Sequence, residues 1–246
     1  MTIRLSRRTI LAAAPLLYAG VPAFAQQSPL KLGTSVSLSG TLAQSGDKVG
    51  KGYKLWVEDV NGRGGLLGRK VELVMYDDQS DAGTSARLFE KLITDDNVDM
   101  TIGPYGSAAS FAASAVTEKH RMPTLLPSAA SDAIFTRGFK YIFQMFPPLK
   151  TIFEPLLGET GQKAGFIRIG ILHSSDLYPK SVAAAVDATA KKYNREIVLN
   201  EEFPLNSSDL SSLMLRIRQA RPDVILGGAQ LPDSLTIVRQ LRDVGY

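Results

Sequence analysis

The run Asn61–Asp81, NGRGGLLGRKVELVMYDDQSD, constrains this chain more than any other. A helix ends in a glycine cluster, a tight turn follows, and a strand runs into paired aspartates. Asn61-Gly62 can adopt the positive φ of a helix C-cap, and Gly64, Gly65 and Gly68 leave the backbone free to reverse. Val71, Leu73 and Met75 alternate with Glu72 and Val74 into Tyr76, the pattern of a strand with at least one buried face. Asp77 and Asp78 then stand at the carboxyl end of that strand, the edge where open α/β sheets place ligand-facing loops.

The same helix–strand rhythm runs through most of the chain. Strands are expected at Lys31–Leu38, 71–76, Val98–Ile102, Pro123–Leu126 and Tyr141–Gln144. Helices are expected at Asp47–Val60, Asp81–Asp96 with Asp81 as N-cap, and Ser107–His120. Met145-Phe146-Pro147-Pro148 breaks the alternation, because a Pro-Pro pair fits neither a helix interior nor a central strand. The pattern then restarts, with helices at Ile152–Thr160, Pro179–Tyr193, Asp209–Ala220 and Asp233–Val244. Strands at Ile167–Leu172, Glu196–Glu202 and Val224–Leu226 alternate with them. This is an α/β fold of two lobes, 26–146 and 147–246, each a mostly parallel sheet flanked by helices and joined near 145–148. No further strand follows the helix that ends near Gly245-Tyr246, so the second lobe is expected to be incomplete and the chain truncated.

Residues 1–25 read as an export signal. Arg4, Arg7 and Arg8 precede an apolar run, Ile10–Val21, and Ala23-Phe24-Ala25 is a small-x-small cleavage site. The mature chain is expected to begin near Gln26, after cleavage at Ala25, and to be periplasmic. Ser6–Leu11 is compatible with a twin-arginine signal and with an ordinary Sec signal carrying an Arg pair. The net charge of +4 comes mostly from this segment, which leaves 25 basic against 24 acidic side chains in the remainder. That balance implies no nucleic-acid surface. With no cysteine in the chain, disulfides, thiol catalysis and a lipidated N-terminal cysteine are excluded. No membrane anchor is expected.

Ile102-Gly103-Pro104-Tyr105-Gly106-Ser107-Ala108-Ala109-Ser110 carries the strongest chemical signal. A strand end and a glycine turn put Ser107 at a helix N-terminus, whose unpaired amides and partial positive charge suit a carboxylate. Ser107 can instead serve only as the N-cap of its own helix. Together with Asn61–Asp81 and Leu126-Pro127-Ser128-Ala129-Ala130-Ser131, this loop resembles the solute-binding proteins of the branched-chain amino acid (Leu/Ile/Val) type, periplasmic components of ABC transporters. The resemblance implies a two-lobed, type I periplasmic-binding-protein fold that continues beyond Tyr246, and a membrane permease as partner. It also implies that Ser107 holds the α-carboxylate of an amino acid and that the adjoining Ala108 is a ligand-binding residue. The Ala129 carbonyl and the Ser131 hydroxyl would hold its ammonium and carboxylate, and Tyr178 would close over it from the second lobe. Ser131-Asp132 fits a helix cap equally well. Ser39 and Ser45, in the first loop, are expected to line the cleft.

This chain departs from the family pattern in two places. Ala229 stands where amino-acid binders often carry an aromatic, and the acidic partner of the ligand ammonium would lie beyond Tyr246. The expected ligand is therefore a branched-chain or other amino acid first, and another small carboxylate, aromatic ones included, second. An exported α/β hydrolase is the enzymatic alternative, but His173, Ser174 and Asp176 crowd one short loop, a poor arrangement for a triad. A sensing lobe pair of a regulator shares the fold and lacks the export signal. The glycines at 62, 64, 65 and 68 follow a helix and precede a strand, the reverse of a dinucleotide site. Two histidines and no cysteine leave Asp77 and Asp78 short of a metal site, so no metal and no cofactor are expected.

Overall fold

The computed structural model describes residues 28–246. The export signal expected at 1–25 lies outside the described residues. The first sheet contains β1 (Leu30–Val36), β2 (Val71–Asp77), β3 (Met100–Ile102), β4 (Thr124–Leu126) and β5 (Ile142–Gln144), in the spatial order β2-β1-β3-β4-β5. All pairings are parallel. The connecting helices are α1 (Ala43–Gly62), α2 (Ala82–Thr94), α3 (Ser107–Lys119) and the short α4 (Asp132–Phe135). Apolar residues fill both faces: Leu32, Val60, Val71 and Ile102 gather on one, and Phe89, Leu92, Val98 and Ala113 on the other. Beside the first of these clusters lies an apolar groove of about 460 Å3, walled by Tyr53, Trp56, Leu66, Met100 and Met145 among others.

The second sheet holds β6 (Arg168–Ser174), β7 (Glu196–Phe203) and β8 (Val224–Gly228) in the order β7-β6-β8, again parallel. Its helices are α7 (Leu177–Lys192), α8 (Ser211–Ala220) and α9 (Leu231–Asp243). The chain reaches it through α5 (Leu149–Pro155), a π-helical turn at Leu156–Thr160 and α6 (Gly161–Ala164). A single helix was expected over Ile152–Thr160. Pro155 lacks the N–H an α-helix needs there, and the wider turn begins directly after it.

Both sheets put their first strand in the interior, so the crossovers run in opposite directions on its two sides. Crevices in doubly wound sheets open at such points, at the carboxyl ends of the strands. The register of β1 and β2 pairs Val36 with Asp77, which brings the loop after β1 against the paired aspartates. Asp77 Oδ1 accepts from the backbone N–H groups of Leu38, Ser39 and Gln79 at 2.9, 3.1 and 2.9 Å. Asp78 is buried and accepts from the hydroxyls of Ser35 and Ser37 at 3.0 and 2.7 Å. Burial pushes the Asp78 carboxyl up, while these hydroxyls and the Ser80 N–H work against the shift. Both aspartates therefore build the loop, as expected, but neither lines the cleft described below.

The glycine cluster works differently from the expectation. Asn61 and Gly62 remain helical, and the chain reverses at Gly64 and Gly65, with φ of 101° and 88°. A Cβ at Gly65 would lie 2.0 Å from the Arg69 carbonyl oxygen, so only glycine fits. Asn61 uses its side chain instead: its amide bonds both the N–H and the C=O of Val71, at 2.7 and 2.8 Å, and ties α1 to the start of β2.

Candidate functional site

The loops after β3 and β4 are fastened to each other. Gly106 N–H donates to the Ser128 carbonyl at 3.1 Å, and Gly103 N–H donates to Leu125 at 2.6 Å. On the other side the Tyr53 hydroxyl donates to the Gly103 carbonyl at 2.9 Å. Burial drives the pKa of that hydroxyl up to about 12, against the opposing effect of the Ser128 hydroxyl. Gly106 is the N-cap of α3, with φ 88° and ψ 156°, a conformation essentially closed to residues with a Cβ.

Ser107 is thus the first helical residue, and it does not cap its own helix. Its Oγ accepts from the N–H groups of Ala130 and Ser131, at 3.3 and 3.2 Å. Two donors occupy the oxygen's lone pairs, so the hydroxyl proton is left to point at an acceptor. Donation onto the oxygen also polarises the O–H bond and makes it a better donor. The first-turn amides of α3 have no acceptor within the helix and carry the positive end of its dipole. These groups converge on a cleft of about 280 Å3.

Tyr105, Gly106, Ser107, Pro127, Ser128 and Ala130 form the first-sheet wall, and Phe146 stands at the connection. Tyr178, in the first turn of α7, and Ala229, Gln230 and Leu231, at the junction of β8 with α9, form the opposite wall. Burial raises the Tyr178 hydroxyl pKa, and Tyr105 adds to the shift. A smaller cavity of about 70 Å3 adjoins, lined by Ser37, Thr41, Ala108, Asp176 and Gln230 among others. The arrangement can take an anion at the α3 N-terminus and enclose an apolar or aromatic body between Phe146 and Tyr178.

The sequence profile of the periplasmic binding protein family matches residues 29–246. The chain belongs to that family. The Leu/Ile/Val-binding protein homolog 8 of Brucella suis biovar 1 is 30% identical over 254 aligned residues, covering 99% of this chain and 62% of the relative. Among solved structures, the branched-chain amino acid transporter substrate-binding protein LivJ of Streptococcus pneumoniae, in complex with isoleucine, superposes with a TM-score of 0.79 at 27% identity. That match covers 88% of this chain and 62% of LivJ. A solute-binding protein of an ABC transporter from Rhodopseudomonas palustris BisB5, in complex with 3,4-dihydroxybenzoic acid, shares the fold with a TM-score of 0.75 at 22% identity. It is covered to 60%, with 89% of this chain aligned. The chain thus spans about 62% of the length of the curated relative.

Within this periplasmic binding protein the expected residues fall into three groups. Ser107 and Tyr178 face each other across the larger cleft, and Ala108 lines the smaller cavity. Ala129 and Ser131 lie next to the cleft without lining it. Ala129 packs with Leu126 and Ile134 in the core. The Ser131 hydroxyl sits 2.6 Å from Ser181 Oγ. Ser181 gives its own proton to the Leu177 carbonyl, so Ser131 is the donor of that pair and its proton is used. The Ser131 side chain makes no cap to α4 either. Ser45 is not in a loop: α1 starts at Ala43, four residues before the expected Asp47, and Ser45 sits half-buried in its first turn, away from both cavities. Ser39 lines neither cavity; Ser37 and Thr41 of the same loop do.

His173 is buried and its Nδ1 meets the backbone oxygen of Ser174 rather than a hydroxyl, so the loop forms no triad. Sequence reading missed Tyr105, Gln230 and Asp176. Tyr105 Oη donates to Gln230 Oε1 at 3.3 Å, and Gln230 Nε2 donates to Asp176 Oδ2 at 3.3 Å. The available signal was position: Gln230 follows β8 as Gly106 follows β3, each the N-cap of the next helix.

Proposed function

We propose that this protein is the solute-binding component of an ABC importer. It captures a small amino acid in the cleft between its two sheets and presents the closed form to a membrane permease. The reading places it in the periplasm after removal of residues 1–25, with 26–146 and 147–246 as its lobes. It is a binding protein, and no bond is made or broken. The observation that carries the reading is the Ser107 hydroxyl proton, left free beside the α3 N-terminus on the wall of a 280 Å3 cleft. Such a site recognises a carboxylate and excludes cations. The cleft lies just under the usual range of about 300–1,000 Å3, which suits a ligand smaller than a drug molecule. The family membership and the isoleucine bound by LivJ support an aliphatic amino acid.

Isothermal titration calorimetry against a panel of amino acids and small carboxylates tests this directly. Ser107→Ala removes a hydrogen bond to a charged group and should weaken the tightest ligand by about 1.5–3 kcal/mol, roughly 10- to 150-fold. No heat from any member of the panel would dismiss the reading. A second ligand class, a small carboxylate without an ammonium group, is favoured by one observation: among the described residues, no charged side chain lines the larger cleft.

A further inference from the structure

The apolar groove on the first sheet and the cleft share a wall. Pro127 lines both, and Tyr53, in the groove, reaches the loop after β3 with its hydroxyl. That loop is pinned at two backbone amides: Gly103 N–H donates to the Leu125 carbonyl at 2.6 Å, and Gly106 N–H to the Ser128 carbonyl at 3.1 Å. Between them, the peptide joining Gly103 to Pro104 has no N–H, so only its carbonyl can hold it. Gly103 is buried, and among the described residues the Tyr53 hydroxyl is the one donor to that carbonyl, at 2.9 Å. Tyr53 comes from α1, which packs on the sheet face opposite α3. Burial drives its pKa up to about 12, opposed by the Ser128 side chain, so the hydroxyl keeps the proton it donates.

We infer that Tyr53 is a positioning residue for the cleft: its hydroxyl fixes the Gly103–Pro104 peptide from the groove face and so sets the Ser107 hydroxyl for the ligand carboxylate. The inference rests on the solute-binding reading above. Tyr53 is absent from the cleft lining and acts through the loop, not on the ligand. A buried carbonyl without a donor is costly. Released from Tyr53, the Gly103–Pro104 peptide turns toward another donor and carries Tyr105 and Gly106 with it, the two residues that lead into Ser107. Phenylalanine at 53 keeps the ring against the groove and removes this one hold.

The test is Tyr53→Phe in the whole chain, with L-leucine as the calorimetric probe and a thermal melt beside it. Affinity should fall about three- to tenfold, the effect of one lost hydrogen bond. In a Ser107→Ala background the same substitution should change affinity less than about twofold, because the group it positions is gone. A tyrosine with a merely structural role would weaken both backgrounds by one factor, or lower the thermal midpoint with affinity intact. Either result overturns the inference. Hydrogen exchange on the ligand-free protein gives a second readout: amides of residues 105–110 should exchange about three- to tenfold faster in Tyr53→Phe, with those of the second sheet unchanged. Equal rates at 105–110 would overturn the inference even where leucine binds. No heat from the wild type with leucine or any other member of the panel removes the solute-binding reading, while the exchange rates still decide whether Tyr53 holds the loop.

Discussion

At the scale of single residues, one glycine governs the turn that sets Ser107 on the cleft wall. Gly106 sits at φ 88° and ψ 156°, and nothing lies within 4 Å of where its Cβ would be. A side chain there would meet open space, so the penalty is purely conformational. Gly106→Ala should cost about 1–3 kcal/mol of stability, read as a lower urea midpoint with an unchanged slope. Ligand affinity should fall as well, because the same turn aims Ser107 at the cleft. An unaltered midpoint would show that the turn relaxes freely and that the glycine is incidental. Ser107 makes a related point. Its oxygen is occupied by two amides of the neighbouring loop, and that occupancy leaves the proton free for a ligand.

At the scale of elements, helix starts carry most of the polar organisation. Asp81 caps α2 by accepting from Thr84 N–H at 2.6 Å, as its sequence position foretold. Asp176 caps α7, and Gly106 and Gln230 begin α3 and α9 without any side-chain cap. Both of these starts face the cleft, where exposed amides have a use. Asp233, in the first turn of α9, is buried and takes the Asn206 N–H on Oδ1 at 2.9 Å. Burial raises its pKa, the Ser174 hydroxyl and the Asn206 N–H oppose the rise, and nearby Asp176 adds to it. A carboxyl whose pKa is higher in the fold than in the unfolded chain stabilises the fold in its protonated form. That contribution is full below the unfolded pKa and is lost as pH rises through the folded value. Asp233→Asn removes the titration and keeps an acceptor for Asn206. The stability of the variant relative to wild type should therefore increase between about pH 3 and about pH 7, measured by urea melts across that range. A difference independent of pH would mean that Asp233 titrates alike in both states.

At the scale of the whole molecule, two sheets of like winding present their switch points to one cleft. Across it run the Tyr105–Gln230 bond and the 2.6 Å contact of Ser131 with Ser181. Hydrogen bonds of this kind contribute about 0.5–1.5 kcal/mol each, enough to bias a hinge equilibrium of a few kcal/mol. Ser181→Ala should loosen ligand-free closure about two- to tenfold, visible as a larger radius of gyration in small-angle scattering that returns to the wild-type value with ligand. No change in the ligand-free radius would indicate that the bond does not hold the sheets together.

The order of strands and helices was legible in the sequence because hydrophobic period and glycine placement are local properties. Alternation in Val71–Tyr76, the helical spacing of Tyr53, Val57 and Val60, and the Pro147-Pro148 break each depend on neighbours within a few residues. The Ser107 loop was legible for the same reason, as a strand end followed by a helix start. Partnerships between distant side chains were not. Ser131 looks like a ligand donor or a cap until Ser181, fifty positions later, is found holding it. Asp176 looks like part of a false triad until Gln230, fifty-four positions later, is found on its free oxygen. Local pattern fixes which backbone groups stand at the strand ends, because chain geometry reaches only a few residues. Which hydroxyls and carboxylates keep a free valence there is set by packing two sheets against each other, and that lies in the tertiary structure alone.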